Sequence, residues 1–385
     1  MRSIRDIHNY DGRLRALSDK IRTSDSIDDS NKLKILKFQQ QCFAEGLASS
    51  RVVKYTYTLL QIERMLGKRF EGATREDVVR VMEKVERNRK WSDWTKHDYK
   101  VTLKKFYRWL RGIQKRGAYP EEVDWIVTTV RNSNSKLPEE MLTEEEVKRL
   151  AQVASNVRDK ALVLVSYESG ARVGELLNMR IKDVAFDDLG AVIMLTGKTG
   201  DRRIRMVASA PALAEWVNSH PEREDLEAFV WPVGYRAVDK MFKSLARKAK
   251  IRKRITPHLF RHSRATHLAT KLTEQQLKQL MGWTMGSKMA QVYVHLSGRD
   301  LDNALLELHG LRAQEKKEEK FKVKVCPRCE ERNSPDTMYC KKCAFPIDNE
   351  TMDWENKTMD ELVRIPQVQR YLKRALRTVL LKKST

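Results

Sequence analysis

The sequence predicts a mainly α-helical, multidomain chain whose second half is mixed α+β, and three observations carry that prediction. Through most of the 385 residues, apolar side chains recur at steps of three and four, the spacing that lines one face of a helix. Around GKTGD (residues 197–201) the pattern changes to short alternating runs, which predicts a small sheet. Near the end, Cys326, Cys329, Cys340 and Cys343 stand as two CxxC pairs, a pattern that suits a metal-held module better than a disulfide framework. A chain of this length has room for more than one core.

Lys plus Arg number 75 against 52 Asp plus Glu, a formal charge of +23 on a chain that is 41% hydrophobic. That apolar share excludes disorder throughout. The positive excess predicts a polyanionic partner, nucleic acid or an acidic membrane. No run approaches the roughly 20 apolar residues of a membrane span, and the opening residues lack a signal-type apolar stretch. The expectation is a cytoplasmic, nucleoid-associated protein with no membrane partner.

Taken in order, residues 1–27 carry Ile4, Ile7, Tyr10, Leu14, Leu17 and Ile21 at helical spacing, an amphipathic N-terminal helix. Residues 28–130 continue as several short helices, with Cys42 as a buried helix residue. The helix from about Trp94 to Leu110 sets Tyr99, Leu103, Phe106 and Leu110 on one face and Lys96, Lys100, Lys104 and Arg108 on another, a basic stripe suited to a phosphate backbone. Residues 131–142 contain RNSNSKLP and form a linker. Thr143 followed by Glu146 is a capping box that opens a second domain, residues 143–312. Helical pattern runs to about Asn178, two strands flank GKTGD, and helices return from Ala212 to Leu311. A mixed-charge linker follows, then the cysteine module at 326–347. Residues 351–385 close the chain as a basic amphipathic helix, without an acid from Arg370 onward.

The densest charge lies between Arg236 and Arg264, where eleven basic residues, among them Lys248, Arg252, Lys253 and Arg254, face the single acid Asp239. So concentrated a field predicts that this domain grips the polyanion. The same domain holds four motifs: GARVGE at 170–175, GKTGD at 197–201, PHLFRHS at 257–263 and GWTMGSKMAQVYVH at 282–295. Together they resemble the tyrosine recombinase or integrase family, most of all its archaeal members, over roughly residues 28–312. The resemblance implies a SAM-like helical core-binding domain ahead of the catalytic domain, double-stranded DNA as substrate, and a catalytic set of Arg172, Lys198, His258, Arg261, Trp283 and Tyr293.

The chemistry explains the residue types. When a tyrosine attacks a phosphodiester, negative charge gathers on a five-coordinate phosphorus, and the guanidinium forks of Arg172 and Arg261 suit its non-bridging oxygens. His258, three residues before Arg261, lies on the same side of a helix and fits hydrogen bonding or proton transfer. Tyr293, with an ordinary pKa near 10, needs neighbouring cations or a proton acceptor. The family assigns protonation of the leaving 5′-oxygen to the turn lysine, here Lys198, and Trp283 would donate its indole N–H. Glu175, three residues after Arg172, orients the arginines. His262, His267 and His295 read as packing or supporting residues. The covalent phosphotyrosine conserves the bond energy, so neither nucleotide nor metal is required for catalysis.

By the same resemblance the DNA-bound assembly is a tetramer, with Leu301 to Leu311 docking on a neighbour. CPRC, ten intervening residues and CKKC resemble a zinc ribbon with a structural zinc ion. Two rival readings use the same fold: a catalytically silent DNA-binding regulator, against which the complete residue set argues, and a topoisomerase-like enzyme that relaxes DNA through the same tyrosine chemistry.

Overall fold

The computed structural model describes residues 5–115, 117–130, 140–197, 199–296 and 321–348, together with 306, 309, 351, 358–359 and 361–371. The chain divides into two units, Met1–Ser135 and Lys136–Thr385.

The first unit holds helices α1 (Tyr10–Arg22), α2 (Asp29–Ala44), α3 (Ser49–Leu66), α4 (Arg75–Arg87) and α5 (Asp93–Leu110), and α2, α4 and α5 start where short polar side chains satisfy free amides. Asp28 accepts from Ser30 N at 2.9 Å, Ser92 from Thr95 N at 3.2 Å, and Thr74 with Asp77 forms a full capping box. Their apolar faces meet around Phe106, which lies edge-on to Phe38 at 5.3 Å and to Phe70 at 4.8 Å. Cys42 is buried in this core, and burial pushes its thiol up to about 11. Helix α1 joins this core through Ile21, with Leu14 and Leu17 packed against it.

The basic stripe of α5 is not an open row of cations, because each of its side chains has a partner within the unit. Lys96 Nζ donates to Glu86 O at 2.7 Å and Lys100 pairs with Glu86 Oε1 at 2.7 Å. Lys104 donates to Ile126 O at 2.9 Å and lies 4.1 Å from the Tyr119 ring centroid, while Arg108 donates to Ile113 O and Gln114 O, each at 3.2 Å. Helical spacing shows that these residues share a face, but gives no indication that neighbouring carbonyls line it.

The second unit opens with the Thr143–Glu146 capping box at the start of α6 (Glu144–Gln152). Helix α7 (Val157–Ser169) is buried continuously from Ala161 to Ser169, as a helix apolar on all sides must be. Its one buried charge, Glu168, accepts from the amides of Val207, Ala208 and Ser209 at 2.7–2.9 Å and from Ser209 Oγ at 2.6 Å. After the short α8 (Val173–Leu177) come strands β1 (Val184–Asp187), β2 (Gly190–Gly197) and β3 (Gly200–Met206), an antiparallel sheet in that order. The expected strands are β2 and β3, paired with Ile193 opposite Ile204 and Gly197 opposite Gly200. The outer strand β1 is mostly exposed, so it has no alternating apolar signature. Of the helices that follow, α9 (Ala210–Asn218) and α11 (Pro257–Ala269) pack on α7, and α10 (Tyr235–Lys248), α12 (Glu274–Met281) and α13 (Met289–Leu296) pack on α11.

Cys326 and Cys329 lie in the turn of the two-stranded ladder β4 (Lys324–Val325) and β5 (Arg332–Asn333), and Cys340 and Cys343 follow it. Helix is present at 361–364 and 366–371. The rest of the expected C-terminal helix, 372–385, most of Leu301–Leu311, the 131–139 part of the linker, Lys198 and the side chain of His295 lie outside the described residues.

Candidate active site

Arg172 sits at the junction of α7 and α8, in extended backbone just before the first turn of α8. Glu175 binds it twice: Oε2 accepts from Arg172 N and Oε1 from Arg172 Nη1, both at 2.8 Å. The same carboxylate receives a two-pronged contact from Arg202 on β3, Nη1 to Oε1 at 2.9 Å and Nη2 to Oε2 at 2.6 Å. Glu175 and Arg202 are both buried. Burial alone pushes the Glu175 carboxyl up, but the hydrogen bonds and charge of Arg202 and Arg172 outweigh it and hold the group below its usual range. Gly197 makes this possible, since a Cβ there would stand 2.5 Å from Glu175 Oε1.

The three arginines converge on the C-terminal end of α12, whose last carbonyls have no partners within the helix and bear partial negative charge. Arg202 Nε donates to Leu280 O at 3.1 Å, Arg261 Nη2 to Met281 O at 2.6 Å, and Arg172 Nη2 to Gly282 O at 3.3 Å. Thr199 Oγ1 also donates to Gly282 O, at 3.0 Å. Gly282 ends the helix at φ 59°, a left-handed conformation that suits glycine, and a Cβ there would meet Arg202 Nη1 at 2.7 Å. Arg261 Nη1 donates to Gly170 O at 2.8 Å. Burial, with the positive charge of Arg172 beside it, lowers the Arg261 guanidinium to about 10. Three cations against one carboxylate leave a positive excess that an anion would relieve.

Tyr293, on α13, is buried at 3% exposure. Its ring stacks on Trp283 at 5.5 Å and 10°, and Arg261 Cζ lies 5.5 Å from the Trp283 centroid. The Tyr293 hydroxyl is hydrogen-bonded to His262 Nδ1. Burial raises the phenol above its ordinary value, and Arg261 opposes that shift. His258 follows Thr256, which caps α11, and Pro257 at its first position; it is exposed one turn before buried Arg261. His267 Nδ1 contacts the Tyr167 hydroxyl in the interior.

The structure thus brings Arg172, Glu175, Arg261, Trp283 and Tyr293 together, with His258 at the exposed end of α11. Sequence reasoning missed two members. Arg202 alternates with Ile204 and Met206 on the inward face of β3, and a charge at an inward strand position was the available signal. His262 was expected to pack or to support the site, and it reaches the tyrosine hydroxyl itself.

The chain is 27% identical over 242 residues to the tyrosine recombinase XerA of Pyrococcus furiosus, covering 56% of this chain and 83% of the relative. A model described as the phage integrase family matches residues 140–299. The tyrosine recombinase XerC of Xanthomonas axonopodis pv. citri is 30% identical over 223 residues, covering 55% of this chain and 70% of the relative. The chain belongs to the tyrosine recombinase family. It is a site-specific DNA recombinase, a tyrosine-type DNA strand transferase. The XerH site-specific recombinase bound to palindromic difH substrate shares its fold, with a TM-score of 0.53 at 17% identity over 80% of this chain and 98% of that one.

The recombinase has a basic groove of about 580 Å³ along α10 and the turn after it, lined by Lys240, Lys243, Arg247, Arg252, Lys253 and Arg254. Lys248, Arg252 and Arg254 are exposed. Lys253 is tied down, donating to Met141 O and Glu146 Oε2, each at 2.7 Å.

The cysteine module is built from two matching knuckles. Cys326 N donates to Glu331 O and Glu330 N to Cys326 O, both at 2.9 Å; Cys340 N donates to Phe345 O and Ala344 N to Cys340 O, both at 2.8 Å. Glu330 and Ala344 take the same left-handed turn, at φ 58° and 54°. The four Sγ atoms lie within 4.8 Å of one another, with two pairs at 3.6 Å. That is far longer than a disulfide bond and near the ~3.8 Å edge of a tetrahedron with ~2.3 Å metal–sulfur bonds, so the four thiolates fit a metal ion. The module is fixed to the second unit: Asp336 pairs with Lys160 on α7 at 3.0 Å, and its carbonyl accepts from Gln152 on α6 at 3.2 Å.

Proposed function

We propose that Tyr293 is the nucleophile of this recombinase, forming a 3′-phosphotyrosine link while Arg172 and Arg261 hold the non-bridging oxygens of the attacked phosphate. The observation that carries this reading is the convergence of the three arginines with stacked Trp283 and Tyr293 at one end of α12. Glu175 and Arg202 position Arg172 by keeping it in a fixed ion-pair frame. His258, exposed near the start of α11, contacts the phosphate, and Trp283 adds its indole N–H. Lys198 protonates the leaving 5′-oxygen, a role that rests on the family resemblance.

Double-stranded DNA is the substrate, met by the basic groove through Arg252, Lys253 and Arg254 and by exposed Lys248 at the end of α10. In the first unit, Lys96, Lys100, Lys104 and Arg108 would contact phosphate only by exchanging their present partners. The active assembly on DNA is a tetramer, and the recombinase is cytoplasmic and nucleoid-associated. Cys326, Cys329, Cys340 and Cys343 hold a structural zinc ion, a role supported by the matched knuckles; bound zinc supplies folding energy to the module and takes no part in strand transfer.

The test is a nicked suicide DNA substrate carrying the target site. The native protein forms a DNA-linked species that Tyr293→Phe does not. A covalent species that persists in Tyr293→Phe, or none from the native protein on a verified target, refutes the assignment.

A further inference from the structure

Tyr293 is buried, its phenol is harder to ionise than a free tyrosine, and cleavage requires that its proton leave as the oxygen attacks phosphorus. Arg261 and Arg172 stabilise negative charge but accept no proton. Glu175 is occupied by Arg172 and Arg202 through both oxygens. His262 is the side chain in contact with the hydroxyl itself, its ring 5.8 Å from the Tyr293 ring and inclined by 37°. It directly follows Arg261 on α11, which is wedged against Gly170 and Met281, so the helix that fixes the phosphate-binding arginine also fixes this imidazole.

Resting on Tyr293 as nucleophile, we infer that His262 is a catalytic residue, the general base that receives the phenolic proton at Nδ1. In cleavage the Tyr293 O–P bond forms as the P–O5′ bond breaks. The phenolic proton passes to His262 Nδ1, and the leaving 5′-oxygen is protonated by a separate acid. In rejoining, a 5′-hydroxyl attacks phosphorus and gives its proton back to that separate group, now acting as a base, while the Tyr293 O–P bond breaks and the His262 imidazolium returns the proton to the tyrosine oxygen. The cycle closes with no net gain or loss of protons on His262 and needs no added reagent.

Asparagine separates the base from a mere positioning contact, because its Oδ1 occupies nearly the place of Nδ1 and accepts a hydrogen bond without taking up the proton. Single-turnover adduct formation is measured for the native protein, Tyr293→Phe, His262→Asn and His262→Ala, with DNA affinity measured in parallel. We expect both His262 variants to slow adduct formation by about 10²-fold or more at unchanged affinity, and added imidazole to restore part of the rate to His262→Ala. Native rate in either variant, or a slow His262→Ala that imidazole leaves slow, overturns the inference; if His262→Ala does not fold, the rate of His262→Asn decides. An adduct that survives Tyr293→Phe refutes the nucleophile instead, so the two failures are distinguishable.

Discussion

Arg202→Met tests whether the buried ion pair holds the active site together. Arg202 and Glu175 have side-chain exposures of 8% and 5%. Removing one partner of such a pair costs about 3–5 kcal/mol, because it strands the other charge away from water. Arg172 still binds both Glu175 oxygens, through its amide and its guanidinium, which places the expected loss at the lower end, about 3 kcal/mol. For a unit of this size each kcal/mol moves the melting temperature by about 2–4 °C, so the second unit should melt about 6–12 °C lower. Circular dichroism of the full chain measures this, and adduct formation should fall as Arg172 loses its frame.

The double variant Arg202→Met, Glu175→Met is expected to melt no lower than the single one, since it removes the stranded charge along with its partner. The pH dependence has a defined sign. The Glu175 carboxyl is depressed in the folded state, so its stabilisation is present above the ordinary glutamate value near 4.5 and is lost as the pH falls through its folded value. The gap between native protein and Arg202→Met therefore narrows in acid. A shift under 2 °C at neutral pH, or a double variant that melts lower by the sum of the singles, refutes the ion-pair argument.

Glu168→Ala should leave three backbone amides between Val207 and Ser209 without their acceptor, at about 1–3 kcal/mol each, and lower the urea midpoint of the second unit sharply; an unchanged midpoint shows that the amides find other partners. Metal analysis should find about one zinc per chain, absent after Cys326→Ser with Cys329→Ser, and zinc retained in that variant excludes the four-thiolate site. Replacing Lys248, Arg252 and Arg254 by alanine should reduce the slope of log affinity against log salt by roughly 2.7, at about 0.9 for each phosphate no longer neutralised. An unchanged slope moves the DNA interface elsewhere.

What the sequence determined by itself is what repeats along it. Helical spacing located α5, Thr143 and Glu146 marked the start of α6, and the CxxC pairs marked a metal-fitting module. The family motifs named five residues that the fold gathers, Arg172, Glu175, Arg261, Trp283 and Tyr293. Periodicity records that a face is buried or charged, yet carries no record of what lies against it. It places Lys96, Lys100, Lys104 and Arg108 on one charged face, while their partners in the fold, a carboxylate and carbonyls elsewhere in the unit, leave no trace in it. Arg202 reaches Glu175 across 27 positions, His262 reaches Tyr293 across 31, and Arg172 reaches Gly282 across 110. Only the tertiary structure decided those pairings, because the direction of a guanidinium or imidazole is set by the packing of helices and strands distant in sequence, and a carbonyl at a helix end has no residue identity to read.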